Sequence, residues 1–187
     1  MAVGLAIFCS LLLSTAFADP ILSIQPPSTS VTAGSTFAVD VNISNVSDLF
    51  AFQFDIGFTP FILAATAATE ASFLPTGGST LFVPGTIDNT AGTITFNADT
   101  LIGAIPGVTG SGTLAVVDFK ALIAGTSPIN IANPLLLDST LSPITVAVMG
   151  GASTTVSGHV VPEPSSLLLL GSGLLAAVGV MRRKLLR

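Results

Sequence analysis

The side chains able to do chemistry are few in this 187-residue chain, and they lie far apart. There is one histidine, His159, and one cysteine, Cys9. A nucleophile needs a base within hydrogen-bond reach, and His159 has no cysteine and no serine in a nucleophile turn beside it. It reads as a solvated linker residue. Paired carboxylates could hydrolyse a glycoside, but the acids fall singly along the predicted outer faces of strands, so no pair is expected. Asp88-Asn89 is a turn signal before it is a calcium ligand pair, and no Asp-x-Asp series closed by a glutamate accompanies it. The expectation is a protein with no catalytic residues, no metal ligands and no cofactor, and therefore not an enzyme.

Charge narrows the partners. Of the five Lys and Arg residues, four stand in the last six positions: Arg182, Arg183, Lys184 and Arg187. From Asp19 to Val161 the nine acids face a single base, Lys120, which leaves that stretch with eight net negative charges. Such a surface repels phosphate backbones, so nucleic acid is excluded as a partner. Half of the residues are hydrophobic and only 8% are charged, while Thr, Ser, Asn and Gly supply the polarity of the middle. That balance fits a turn-rich β protein rather than a helical enzyme. Sugar-binding faces use an exposed Trp or Tyr, apolar in body and polar at the tip. The chain has neither, and its twelve Phe fall mostly on inward strand faces or in the apolar N-terminal run.

Both ends are apolar. Residues 1–18 are expected to be a signal peptide, with Ala16 and Ala18 as the small residues before a cleavage that leaves Asp19 first. At the other end, a linker leads through Pro162-Glu163-Pro164 into an uncharged run from Ser165 to Met181, followed by Arg182-Arg183-Lys184. As a helix that run would rise ~25 Å, against a hydrocarbon core of ~30 Å, so it can span with its flanks snorkelling. The basic cluster should remain cytoplasmic and leave the preceding domain outside. This order resembles the PEP-CTERM sorting signal of Gram-negative bacteria, in which the Pro-Glu-Pro motif, apolar helix and basic end are recognised by an exosortase, a membrane-embedded cysteine protease-transpeptidase. Pro162, Glu163 and Pro164 match the motif, and Arg182, Arg183 and Lys184 match the basic end. The two prolines keep the segment extended, as cleavage requires.

These elements bracket a domain at 19–157, followed by a linker and tail at 158–187. Within the domain, apolar residues recur with period two and are broken by turn residues every 8–12 positions. Phe37, Val39, Val41 and Ile43 share one face of a strand. Phe50, Phe52, Phe54, Ile56 and Phe58 share a face of the next, with Ala51, Gln53, Asp55 and Gly57 opposite. Val117, Phe119, Ala121 and Ile123 alternate with Val116, Asp118 and Lys120. A slip of one residue would bury Asp and expose Phe, so register is strongly specified. Gly85–Phe96 reads as two strands around the turn Asp88-Asn89-Thr90-Ala91-Gly92, and Ser127–Ile131, Pro143–Met149 and Ser153–Val156 read as further strands. Pro60–Thr69, rich in Ala and Leu, is the one stretch that could form a helical turn. The predicted fold class is all-β: a two-sheet antiparallel sandwich of about nine strands, with a C-terminal transmembrane helix at about 165–181.

The strand order, with Phe58-Thr59-Pro60 after an early strand and Gly112–Lys120 as a late central one, resembles the cohesin family, related to carbohydrate-binding modules. The resemblance implies a jelly roll. It also implies a dockerin-binding face, which would carry over to Gln53 and Asp55 on one strand and Asp118 and Lys120 on another in the same sheet. Two functions are expected, the first as the leading reading and the second as its alternative. One is an exported structural or adhesive protein of the cell surface or extracellular polymeric matrix, sorted by exosortase after transient anchoring in the inner membrane. The other is a recognition module for a dockerin-like protein or a polysaccharide.

Overall fold

A computed structural model describes residues 19–26, 28–158, 169, 172–174 and 181–182. The chain divides into two compact units, Met1–Ser157 and Gly158–Arg187. In the second unit residues 169, 172–174 and 181–182 have helical backbone. No helix among the described residues is long and apolar enough to cross a membrane. The expected signal peptide with Ala16 and Ala18, most of the expected span at 165–181, Pro162, Glu163, Pro164, Arg183 and Lys184 lie outside the described residues.

The first unit is built from thirteen strand segments. They are β1 (Ile21–Gln25), β2 (Ser28–Thr32), β3 (Thr36–Leu49), β4 (Ala51–Phe58), β5 (Leu63–Glu70), β6 (Thr80–Val83), β7 (Thr86–Asp88), β8 (Thr93–Leu101), β9 (Val108–Ala121), β10 (Gly125–Leu137), β11 (Pro143–Ile144), β12 (Ala147–Val148) and β13 (Ala152–Ser157). One sheet runs β12-β1-β3-β9-β5 and the other β2-β13-β10-β4-β8-β6, with β11 on β10 and β7 on β8. Segments of two or three residues, β7, β11 and β12, account for most of the excess over about nine. The ladders are antiparallel except at two places, β1 on β12 and β2 on β13. The reason is closure: β1 and β2 belong to different sheets, and each meets a C-terminal strand that runs in its own direction.

The period-two faces are where the alternation puts them. Val39, Val41 and Ile43 on β3, Phe52, Phe54, Ile56 and Phe58 on β4, and Val117, Phe119 and Ala121 on β9 are all buried. Phe119 packs against Phe37 in a stacked pair at 5.7 Å and edge-on against Phe58 at 5.3 Å. Because β9 and β4 are in opposite sheets, this aromatic trio ties the two layers together. Ile123 departs from its expected face, since β9 ends at Ala121 and leaves Ile123 exposed.

Residues 63–70 form β5, not a helical turn. Pairing against β9 buries Leu63, Ala65 and Ala68, and this tertiary contact outweighs the helix propensity of alanine. β5 is an edge strand, and a bulge between Ala65 and Ala67 interrupts it. The Asn89 side chain occupies the open edge there: its Oδ1 accepts from Ala65 N at 2.8 Å and its Nδ2 donates to Ala65 O at 3.0 Å. That mimic of a neighbouring strand blocks edge-to-edge pairing. Asp88-Asn89 therefore acts as turn and plug, with Asp88 Oδ1 accepting from Thr90 N and Ala91 N at 2.8 and 2.9 Å. Those backbone bonds hold the Asp88 carboxyl below its ordinary pKa.

Candidate functional site

In the larger sheet the period-two rule breaks twice around one residue. Across β4 and β8, Phe54 pairs Asn97 but Ile56 pairs Ile94, so Thr95 and Phe96 together oppose Asp55. Across β4 and β10, Asp55 pairs Ala132 but Gln53 pairs Leu135, so Asn133 and Pro134 together oppose Phe54. Each is a β-bulge, and each switches the parity of the strand beyond it. Asp55 holds both: Oδ1 accepts from Phe96 N at 2.8 Å, and Oδ2 accepts from Asn133 Nδ2 at 2.7 Å. Phe96 and Asn133 take the left-handed conformation, with φ of 60° and 48°.

The parity switch has a chemical result. Phe96, which strict alternation with Ile94 would bury, is turned outward and is 54% exposed. Leu135 is likewise turned out, while Leu136 beside it is buried. Leu81 and Val83 of β6 project on the same side and are exposed. The result is a shallow groove of about 260 Å³ across β6, β8, β4 and β10, floored by Ala51, Gln53 and Ala98 between those four side chains. A phenyl ring held outward at positive φ costs on the order of 1–2 kcal/mol. Such strain persists where the surroundings over-determine it, and it collects at binding sites.

The same switch turns Asn97 and Asp99 inward, where they are 0% and 2% exposed. Asp99 was expected on an outer face; the bulge at Thr95-Phe96 is why it is not. Burial is the main cause that pushes its carboxyl up to about 7, reinforced by the neighbouring Glu70.

The four residues expected to share a partner face do not share one. Gln53 and Asp55 are on β4 of the larger sheet, whereas Asp118 and Lys120 are on β9 of the smaller. The outer faces of a sandwich point in opposite directions, so a single partner surface cannot meet all four. The alternation of two amphipathic strands shows that each has an outer face but not which sheet it joins. Gln53 lies in the groove, Asp55 organises its bulges, and Asp118 and Lys120 lie opposite Ala38 and Thr36 across the ladder with β3. Sequence reasoning missed Phe96, Leu135, Leu81 and Val83. Two signals were present: proline within the β10 run, and inward Ile94 and Leu101 an odd number of residues apart.

Fold and face together define a jelly-roll scaffold with an apolar, bulge-shaped surface and no metal-ligating cluster among the described residues. The cohesin domain family matches residues 22–155, and the protein belongs to that family. Residues 160–184 match the PEP-CTERM protein-sorting motif. Among solved structures, the non-cellulosomal cohesin of the hyperthermophilic archaeon Archaeoglobus fulgidus is similar with 17% identity and a TM-score of 0.59, over 75% of this chain and 92% of that one. The sixth cohesin of Acetivibrio cellulolyticus scaffoldin B, solved with a Cel5 dockerin, has 18% identity and a TM-score of 0.58, over 75% and 100%. CaCohA2 from Clostridium acetobutylicum has 20% identity and a TM-score of 0.57, over 74% and 91%. At these identities the likeness is one of fold. No curated protein matches the chain.

Proposed function

We propose that the protein is an exported, non-catalytic surface or matrix protein whose cohesin domain captures a dockerin-like partner on the apolar outer face of its larger sheet. One observation carries this: two bulges held by one aspartate turn Phe96 and Leu135 out of the core and beside Leu81 and Val83. Contiguous exposed apolar surface on a soluble domain marks an interaction site. A flat, shallow groove across four strands suits the apolar stripe of a helix, and the acidic domain favours a partner with basic residues around that stripe. The solved cohesin–dockerin complexes of similar fold support the choice of partner. The PEP-CTERM match supports sorting of the tail by exosortase, with Pro162, Glu163 and Pro164 as the motif and Arg182, Arg183 and Lys184 as the basic end that stops transfer.

Two measurements test this. Dockerin-bearing proteins encoded by the same genome, passed over immobilised protein, should bind saturably, and a Leu81→Ser/Leu135→Ser variant should lose that binding. Absence of saturable binding would remove the recognition role, and retention by a polysaccharide instead would replace the partner. Intact mass of the protein from its host should show a C-terminus that no longer carries Arg187.

A further inference from the structure

We propose that Asp99 keeps its proton in the folded domain and donates it to Glu70, and that this bond clasps the two sheets together beside β6. Glu70 ends β5 in the smaller sheet, and Asp99 lies on β8 in the larger. Thr80, the first residue of β6, donates its hydroxyl to Glu70 Oε1. Asp99 Oδ1 accepts from Thr100 N at 2.8 Å, whereas Oδ2 is buried with no hydrogen-bond partner. A buried carboxylate oxygen left unpaired is costly. Thr80 pairs Leu101 of β8, which sets the exposed Glu70 beside the end of the strand that carries Asp99, and a bond between two carboxyls exists only if one of them keeps its proton.

Among the described residues no cation stands beside the pair. Across the ladders Asp99 is flanked by Phe52 of β4 and Phe82 of β6. The turn Leu74–Gly77, which packs on β8, holds no ionisable side chain. On β7, Asp88 pairs Thr93 at the other end of β8. Lys120, the one base between Asp19 and Val161, pairs Ala64 at the opposite end of β5 from Glu70. Two carboxylates and one hydroxyl are also too few oxygens for calcium, which takes six to eight.

The direction of the pH effect follows. Asp99 ionises at about 7 in the folded domain, against an ordinary 3.8. The folded state therefore holds a proton that the unfolded chain has released, so this stabilisation is complete below about 4 and is lost as pH rises to about 7. Loss of the clasp leaves two charges facing each other where β6 joins, and β6 carries Leu81 and Val83. Release of partner at alkaline pH would follow only on the reading of the groove given above; the bond from Asp99 to Glu70 does not depend on it.

The test uses the full chain in mild detergent. Carbon NMR of the carboxyl groups should show Asp99 titrating with a step near 7 in the native protein. Glu70→Gln, which removes the neighbouring charge, should lower that step by about one unit or more. Amide exchange protection at Leu81–Val83 should fall by tenfold or more between about pH 5 and about pH 9, and should stay level in Asp99→Asn, whose amide can donate to Glu70 at either pH. Ordinary carboxylate titration of Asp99, or pH-independent protection in the native protein, would overturn the proposal. Restoration of protection at about pH 9 by millimolar calcium chloride would also overturn it, by showing that a cation, not a proton, fills the gap.

Discussion

Replacing Phe96 by asparagine should weaken partner binding while leaving the domain folded. The side chain is 54% exposed, so somewhat less than half of it packs on the protein. Full burial of a Phe is worth about 1.5–3 kcal/mol, and the covered part therefore contributes about 1 kcal/mol that the variant loses. Against this, Phe96 has φ of 60°, where asparagine is tolerated and a bulky ring is strained by about 1 kcal/mol or more. The two terms nearly cancel, and stability should stay within about 1 kcal/mol of the parent. A partner that covers the exposed half of the ring gains about 1 kcal/mol from it, so affinity should fall about fivefold. Urea unfolding followed by far-ultraviolet circular dichroism measures the first quantity, since the chain has no Trp or Tyr to report by fluorescence. Titration with the captured partner measures the second. A stability loss above about 2 kcal/mol would show that the ring belongs to the core. An unchanged affinity in a folded variant would show that the groove is not the recognition surface.

Phe119→Ala should behave in the opposite way, destabilising the domain by about 3–5 kcal/mol in the same unfolding assay, because the ring is fully buried between Phe37 and Phe58. Asp48 contributes to the acid limb of stability, as Asp88 and Asp138 do. Its carboxylate accepts from Ser139 Oγ at 2.7 Å, Gly107 N at 2.6 Å and Ser139 N at 3.3 Å, and these bonds hold its pKa below 3.8. The folded state then binds fewer protons than the unfolded chain, so this contribution is present above about 4 and is lost as pH falls through the lowered value. Asp48→Asn should flatten the fall in melting temperature between about pH 4 and pH 2, and an unchanged acid slope would assign that limb to other carboxylates.

Much of this protein is legible in its residue order. Alternation over residues 37–43, 50–58 and 117–121 specifies which side chains enter the core, because a one-residue slip would bury aspartate. The Pro-Glu-Pro, apolar run and basic cluster identify the tail in the same local way. What alternation cannot convey is which strands become neighbours. That pairing alone separates Gln53 and Asp55 from Asp118 and Lys120, and it makes the alanine-rich 63–70 a strand edge. It also decides the two bulges, since an extra residue has meaning only against the strand beside it. Through them one carboxylate, Asp55, turns Phe96 toward solvent and Asp99 toward the interior. The apolar outer face and the buried acid thus have a single cause: a change of parity that exists only once β8 and β10 lie against β4.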